Sequence, residues 1–296
     1  MSYKKAQFSF NPQEIAIATN TYYPRWYKGR VRSIKHIDKI RGDLAIKFFE
    51  EAKKRGYCVV AVDGRSSKTF QKEIKNIENI IFIRRRSAKR SPAKRQAIKI
   101  AIKQDGIKII VLTETEKVSL VTSCIPILVK PILEGKADIV VPKRDDKLFA
   151  STYPSYMYES EVEGNKIYNE ILRVHGFLNN SDEDLDMFFG PRVFRNDQKI
   201  ISLFMKKYSL SSMQSSFTKD FFDVEDYSNT LYFSIVLGLK KHFQIKSITV
   251  PFTYPKIQKE NEEKGELALF LEKRKNQRLS ILVELLHFVN YLQKLK

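Results

Sequence analysis

Residues 107–117, Ile107-Lys108-Ile109-Ile110-Val111-Leu112-Thr113-Glu114-Thr115-Glu116-Lys117, are an apolar run that stops at two glutamates one residue apart. A short run of this kind, without polar alternation, predicts a strand buried on both faces, as in a parallel sheet covered by helices. An E-x-E pair just past such a strand is either a solvated turn or a pair of carboxylates held at the mouth of a cleft. The neighbouring segments bear on that choice.

Working outward, residues 14–19 predict a first strand and 57–62 a second that ends at Asp63, with 80–83 and 137–142 as further short strands. Between them the pattern predicts helices over 38–55 (capped by Asp38), 69–77, 92–104 (Pro92 in its first turn) and 118–133, where Pro126 and Pro131 must bend or break the chain. Further on, the pattern gives a helix over 158–174, a strand or tight hairpin over 187–194, helices over 198–207 and 229–240, a strand over 245–252 and a long helix over 266–296. This order predicts an α/β protein with a mostly parallel central sheet, helices on both faces and a long C-terminal helix, organised as one domain over 1–296. Ligands of such sheets bind at the carboxyl ends of the strands. Thr19, Asn20, Asp63, Glu114 and Glu116 all fall there.

The chain has 296 residues, with 53 Lys and Arg against 34 Asp and Glu, a formal net charge of +19. That charge predicts attraction to polyanions, whether nucleic acid, nucleotide phosphates or an anionic membrane, without choosing among them. The two cysteines, Cys58 and Cys124, lie in apolar stretches without metal-ligand spacing and predict buried free thiols in a reducing compartment. No stretch reaches the ~18 apolar residues of a membrane span, and the first residues lack a signal-peptide core. The expected location is cytoplasmic, with peripheral membrane contact as an open alternative.

Two carboxylates one residue apart suit a divalent cation shared with a diphosphate, since Mg²⁺ takes one or two carboxylates plus phosphate oxygens and waters. One of them can instead accept from a ribose hydroxyl. Asp63 suits a nucleobase N–H or a ribose, or else an ordinary Asp-Gly turn. Lys94 and Arg95, read as opening a helix, are candidates to neutralise phosphates. Asp186 and Glu159 are further acidic candidates. His175 is read as a helix C-terminal residue before it is read as a ligand. Tyr22, Tyr23, Trp26, Tyr153, Tyr156, Tyr158, Phe188 and Phe189 offer aromatic faces for a sugar ring or for the core.

In their order these segments resemble the nucleotide-diphosphate-sugar half of a GT-A glycosyltransferase, most similar to the family 2-type enzymes. Val62-Asp63-Gly64-Arg65-Ser66 resembles the family's V-D-D-G-S, Lys94-Arg95-Gln96 its A-R-N helix, and Glu114-Thr115-Glu116 its D-x-D metal motif. Residues 188–195, FFGPRVFR, are similar to the segment that closes over the acceptor side, and Val224-Glu225-Asp226 matches the E-D pair that carries the base in inverting members. The sequence departs from the pattern with glutamates in the metal motif and with Arg65 where a small residue is expected. The resemblance covers about 14–260. It implies a nucleotide-sugar half at about 14–145, an acceptor and catalytic half at about 146–262, and the helix at about 266–296. It implies a glycosyltransferase, of hexosyltransferase type, that moves a sugar from a nucleoside-diphosphate sugar to an acceptor hydroxyl. Thr19, Asn20, Asp63, Lys94, Arg95 and Glu114 would hold the donor, Glu116 with Glu114 would hold Mg²⁺ or Mn²⁺, and Asp226, or else Glu225, would take the acceptor proton.

A sugar-phosphate nucleotidyltransferase would place a glycine-rich loop after the first strand, where this chain has Asn20-Thr21-Tyr22-Tyr23-Pro24. A non-catalytic nucleic-acid binder would account for the charge, but no helix-turn-helix, RRM or KH pattern is present. In the last helix Leu267, Phe270, Leu271, Arg274, Arg278, Ile281, Leu282, Leu285, Leu286, Val289 and Leu292 lie near one face. That face predicts packing on the core or a homo-oligomer; an interfacial membrane helix is the alternative.

Overall fold

The computed structural model describes residues 10–86, 90–208, 226–264 and 267–295. Its strands are β1 (Ile15–Thr21), β2 (Cys58–Asp63), β3 (Ile80–Arg84), β4 (Ile109–Leu112), β5 (Ile139–Arg144), β6 (Arg192–Arg195) and β7 (Ile245–Val250). They form one sheet in the order β3-β2-β1-β4-β6-β5-β7. β6 runs antiparallel to both its neighbours, and every other pair is parallel. The expected mostly parallel α/β sheet is therefore present. The apolar runs alternate strictly between two cores. Ala16, Ala18, Val60, Val62, Ile110 and Leu112 face one, while Ile15, Ile17, Val59, Ala61, Ile109 and Val111 face the other. Burial on both faces is why these strands read as continuous apolar runs.

The helices are α1 (Ile37–Lys54), α2 (Lys68–Lys75), α3 (Arg90–Ala101), α4 (Ile125–Leu133), α5 (Asp146–Thr152), α6 (Ser155–Val174), α7 (Gln198–Met205), α8 (Asp226–Leu231), α9 (Phe233–Lys240), α10 (Lys256–Lys264) and α11 (Leu267–Lys294). α1, α2 and α4 cover one face of the sheet; α3, α7, α9 and α11 cover the other.

Several boundaries differ from expectation for physical reasons. β1 runs through Thr21, so Thr19 lies inside the strand rather than at its end. Asp38 does not cap α1. It sits in the first turn and accepts from the Arg25 backbone N–H at 2.9 Å. The stretch around Pro126 is broken as predicted: a wide π turn over Leu120–Cys124 leads into α4, with Pro126 in its first turn and Pro131 inside it. Residues 187–191 resolve into a short turn, Met187–Phe189, and Gly190 at φ 94°, before β6. The helix expected over 229–240 is two helices meeting at Tyr232. α5 and α10 are absent from the sequence reading. α10 contains Gln258 and Glu262, whose polar run hides a helix with a buried polar face.

α11 lays Phe270, Ile281, Leu282, Leu285, Phe288, Val289 and Leu292 against the fold. Leu267, Leu271 and Leu286, expected on the same face, are exposed instead. Over 28 residues the 3.6-residue period drifts away from a fixed stripe, and Phe288 fills the position next to Leu285. Cys124 is buried and Cys58 half-buried, both as free thiols. Among the described residues no helix is long and apolar enough to cross a membrane.

Candidate functional site

The chain runs from β1 to β2 to β3 on one side, then returns to place β4 on the other side of β1. Such a reversal opens a crevice beyond the carboxyl ends of the two diverging strands, the usual ligand position in open α/β sheets. Here the switch point lies between β1 and β4, with Asn20 near the end of β1 and Glu114 just past the end of β4. Asn20 Oδ1 is buried and has no hydrogen-bond partner. Thr19 is fully buried, and its hydroxyl donates to the Thr113 carbonyl at 2.8 Å, so it ties β1 to the turn after β4.

Glu114 meets two lysines. Lys94 Nζ donates to its Oε1 at 2.7 Å, and Lys117 Nζ stands 3.6 Å from its Oε2. Burial pushes the Glu114 carboxyl pKa up, but the two ammonium groups and the Lys94 hydrogen bond outweigh it and hold the pKa at about 2. Gly190 closes over the same carboxylate: a Cβ there would stand 3.2 Å from Glu114 Oε2. Lys117 Nζ also lies over the rings of Phe189 and Phe252, at 5.3 and 5.9 Å from their centroids.

Because the folded-state pKa of Glu114 is depressed, its contribution is present above the ordinary carboxylate pKa and fades as pH falls towards 2. We expect Glu114→Gln to be less stable than wild type by about 1–3 kcal/mol at neutral pH, discounted for the carboxylate's partial exposure. The gap should close between about pH 4.5 and 2, as measured by denaturant titration across pH. A gap independent of pH would contradict the ion pair.

Glu116 turns the other way. Its Oε1 accepts from the Tyr23 hydroxyl at 2.9 Å, and that hydroxyl also meets Thr115 Oγ1 at 2.7 Å. Burial and then the Glu116 charge raise the Tyr23 pKa well above 10. Tyr23 packs edge-on against Phe70 in the core on the α1 side. Behind it lies Arg41, which donates to Glu262 Oε1 at 3.1 Å. Burial opposes the Arg41 charge, yet Glu116, Tyr254 and Glu262 raise its pKa further. Glu262 is fully buried, and its Oε1 also accepts from Tyr254 and Gln258.

Mg²⁺ or Mn²⁺ needs carboxylate oxygens free to face one point. The two glutamates instead diverge, Glu114 towards α3 and Glu116 towards Tyr23. Among the described residues no three His, Cys, Asp or Glu side chains form a group that could hold an ion. Two unit charges 4 Å apart repel by ~4 kcal/mol at an effective dielectric of 20, and a divalent ion beside either lysine doubles that. The diverging carboxylates and the two lysines bear against a divalent ion held between them.

Other expectations are also redirected. Asp63, 3% exposed, spends both oxygens on the end of β1 and on its own loop. They accept from Thr21 Oγ1 (2.9 Å), Ser66 Oγ (2.5 Å) and the backbone N–H groups of Arg65 and Ser66 (3.0 Å each). These bonds build the Asp-Gly turn and support Arg65 at φ 76°. Lys94 and Arg95 lie in the second turn of α3 rather than at its start, and both are buried. Arg95 donates to Thr230 Oγ1 at 3.2 Å, which docks α8 beside the crevice. Glu225 lies outside the described residues. Asp226 heads α8, and its side chain is also outside them.

Asp186 is held by Arg144, not poised for chemistry. Glu159 borders a groove between α6 and α11. His175 caps α6 and meets Gln293 at 3.2 Å. Tyr23, Trp26, Tyr153 and Phe189 are core residues, and Tyr156, Tyr158 and Phe188 are half-buried; Tyr22 is 45% exposed, with the Arg85 guanidinium over its ring at 5.9 Å from the centroid. The sequence reading missed Lys117, although it stands beside the pair in the opening stretch. It also missed Arg41, which only tertiary structure brings to the site; Gly190 was read only as part of the 187–194 segment, without its contact to Glu114.

No family model matches the chain, and no curated protein matches it either. Solved structures do. The M. tuberculosis glucosyl-3-phosphoglycerate synthase is similar at TM-score 0.46 and 11% identity, over 90% of this chain and 80% of that one. The 4-diphosphocytidyl-2C-methyl-D-erythritol synthase of Anaerococcus prevotii is similar at TM-score 0.43 and 12% identity, over 88% and 100%. Residues 1–349 of S. aureus TarS are similar at TM-score 0.37 and 14% identity, over 94% and 71%.

Proposed function

We propose that the crevice between β1 and β4 binds a nucleoside-diphosphate sugar and that the protein transfers the sugar to an acceptor hydroxyl. One observation carries this reading. At the switch point of the sheet, β1 ends at a buried Asn20 amide oxygen with no hydrogen-bond partner, and the turn after β4 carries the Lys94–Glu114–Lys117 cluster. The ordered resemblance of residues 62–66, 94–96 and 114–116 to a GT-A glycosyltransferase points the same way, and Tyr22 offers the exposed ring on which a base can stack.

In the reaction, the bond from the anomeric carbon to the diphosphate oxygen breaks, and the electron pair leaves with the nucleoside diphosphate. The acceptor oxygen bonds the same carbon and gives up its proton to a carboxylate, for which the motif match offers Asp226 first and Glu225 second. Cationic side chains at the crevice stabilise the departing diphosphate as its charge grows. The acceptor is a hydroxyl compound approaching from the side of α8 and the 187–191 turn. Contact with a membrane surface belongs to the outer face of α11, where Leu267, Leu271 and Leu286 are exposed.

Calorimetry with a panel of nucleoside diphosphates and their sugars tests the reading. One nucleotide should bind, and Asn20→Ala should weaken it about tenfold, the loss of roughly one hydrogen bond to a buried acceptor. No binding by any member of the panel would defeat the proposal.

A further inference from the structure

We propose that the crevice binds the diphosphate without a divalent cation, the Lys117 ammonium taking the position that a metal ion would fill. The inference rests on the nucleotide-binding reading above and specifies its chemistry. Lys94 is the buried partner, with its side chain 4% exposed and its hydrogen bond made to Glu114 Oε1. It keeps the Glu114 charge compensated whatever Lys117 does.

Lys117 is held differently. Its Nζ stands beyond hydrogen-bond distance of Glu114 Oε2 and rests against the two rings of Phe189 and Phe252, with the side chain 18% exposed. Glu114 Oε2 itself accepts no hydrogen bond. A diphosphate at the crevice offers Lys117 stronger acceptors than the carboxylate it stands near, and its departure leaves Glu114 still paired. Glu114, Lys94 and Lys117 together carry one net positive charge, which a dianionic or trianionic ligand favours. Gly190 keeps the space beside Glu114 Oε2 free of a side chain. No redox or covalent step is involved.

The test is calorimetric titration of the wild-type protein with UDP, GDP and inorganic diphosphate, in EDTA and again with excess Mn²⁺. The expected result is the same Kd, within about twofold, in both conditions. Lys117→Met should raise Kd about tenfold or more, and Lys117→Arg should recover part of the loss. Thermal melts of both variants establish that they are folded, since Lys117 is not a core residue. Binding seen only with Mn²⁺ would overturn the inference while leaving nucleotide binding intact. Unchanged affinity in Lys117→Met would overturn it as well. Absence of binding in every condition would remove the nucleotide reading and this inference with it.

Discussion

Deletion of the chain from residue 266 onward is expected to leave a protein that does not fold. Among the described residues α11 buries seven large apolar side chains, Phe270, Ile281, Leu282, Leu285, Phe288, Val289 and Leu292. At ~1.5–3 kcal/mol for each such side chain buried, the loss is of order 10 kcal/mol or more. Native domains hold only about 5–15 kcal/mol in total. Polar contacts add to the seam: Arg278 NH1 donates to Ser160 Oγ and Glu163, both on α6, at 3.0 Å, and the buried Glu284 accepts from Ser228 on α8. Circular dichroism and size-exclusion mass should show an unfolded or aggregated truncation. A truncated protein that unfolds cooperatively at the same mass, and loses only its binding to anionic liposomes, would make α11 a membrane helix instead.

Arg144→Ala should cost about 3–5 kcal/mol, the usual penalty for removing one partner of a buried ionic network. Arg144 Nε and NH2 each donate to Asp186 at 2.7 Å, and NH1 donates to Glu161 at 2.5 Å. The guanidinium also lies 3.5 Å from the Phe149 ring centroid. Burial would push the Asp186 pKa up, but Arg144 overcomes this and holds it below the usual range. Without the Arg144 side chain that burial is opposed mainly by the hydrogen bonds that the Arg144 backbone N–H and Asn165 Nδ2 donate to Asp186. The Asp186 pKa in the variant should then rise above its unfolded value, and protonation on acidification should recover part of the loss. Urea unfolding at neutral and acidic pH measures this; a loss under 1 kcal/mol at neutral pH would show that the network is dispensable.

How far the sequence could be read follows from the range of the interactions. β1, β2 and β4 were legible because each buries both faces and is apolar throughout. α10 was not, because its inward face is polar: Glu262 is buried through Arg41, which is 221 residues away in the chain. The carboxylates at the end of β4 were legible as a place. Their partners were not, since Lys94 comes from the buried face of a helix twenty residues earlier. Asp63 was open to two readings; its hydrogen bonds build the turn, and its contact with a base or ribose is not tested by them. The proposed base on α8 rests on the motif match alone.

The most direct test of the central claim is a backbone chemical-shift map of the protein titrated with the nucleoside diphosphate that binds best. The account predicts perturbations confined to the crevice, at Asn20, Thr21, Tyr22, Gly64, Thr115, Lys117 and Gly190, with the strand-pair interior unchanged. Perturbations at the groove between α6 and α11 with none at Asn20 or Lys117 would contradict it.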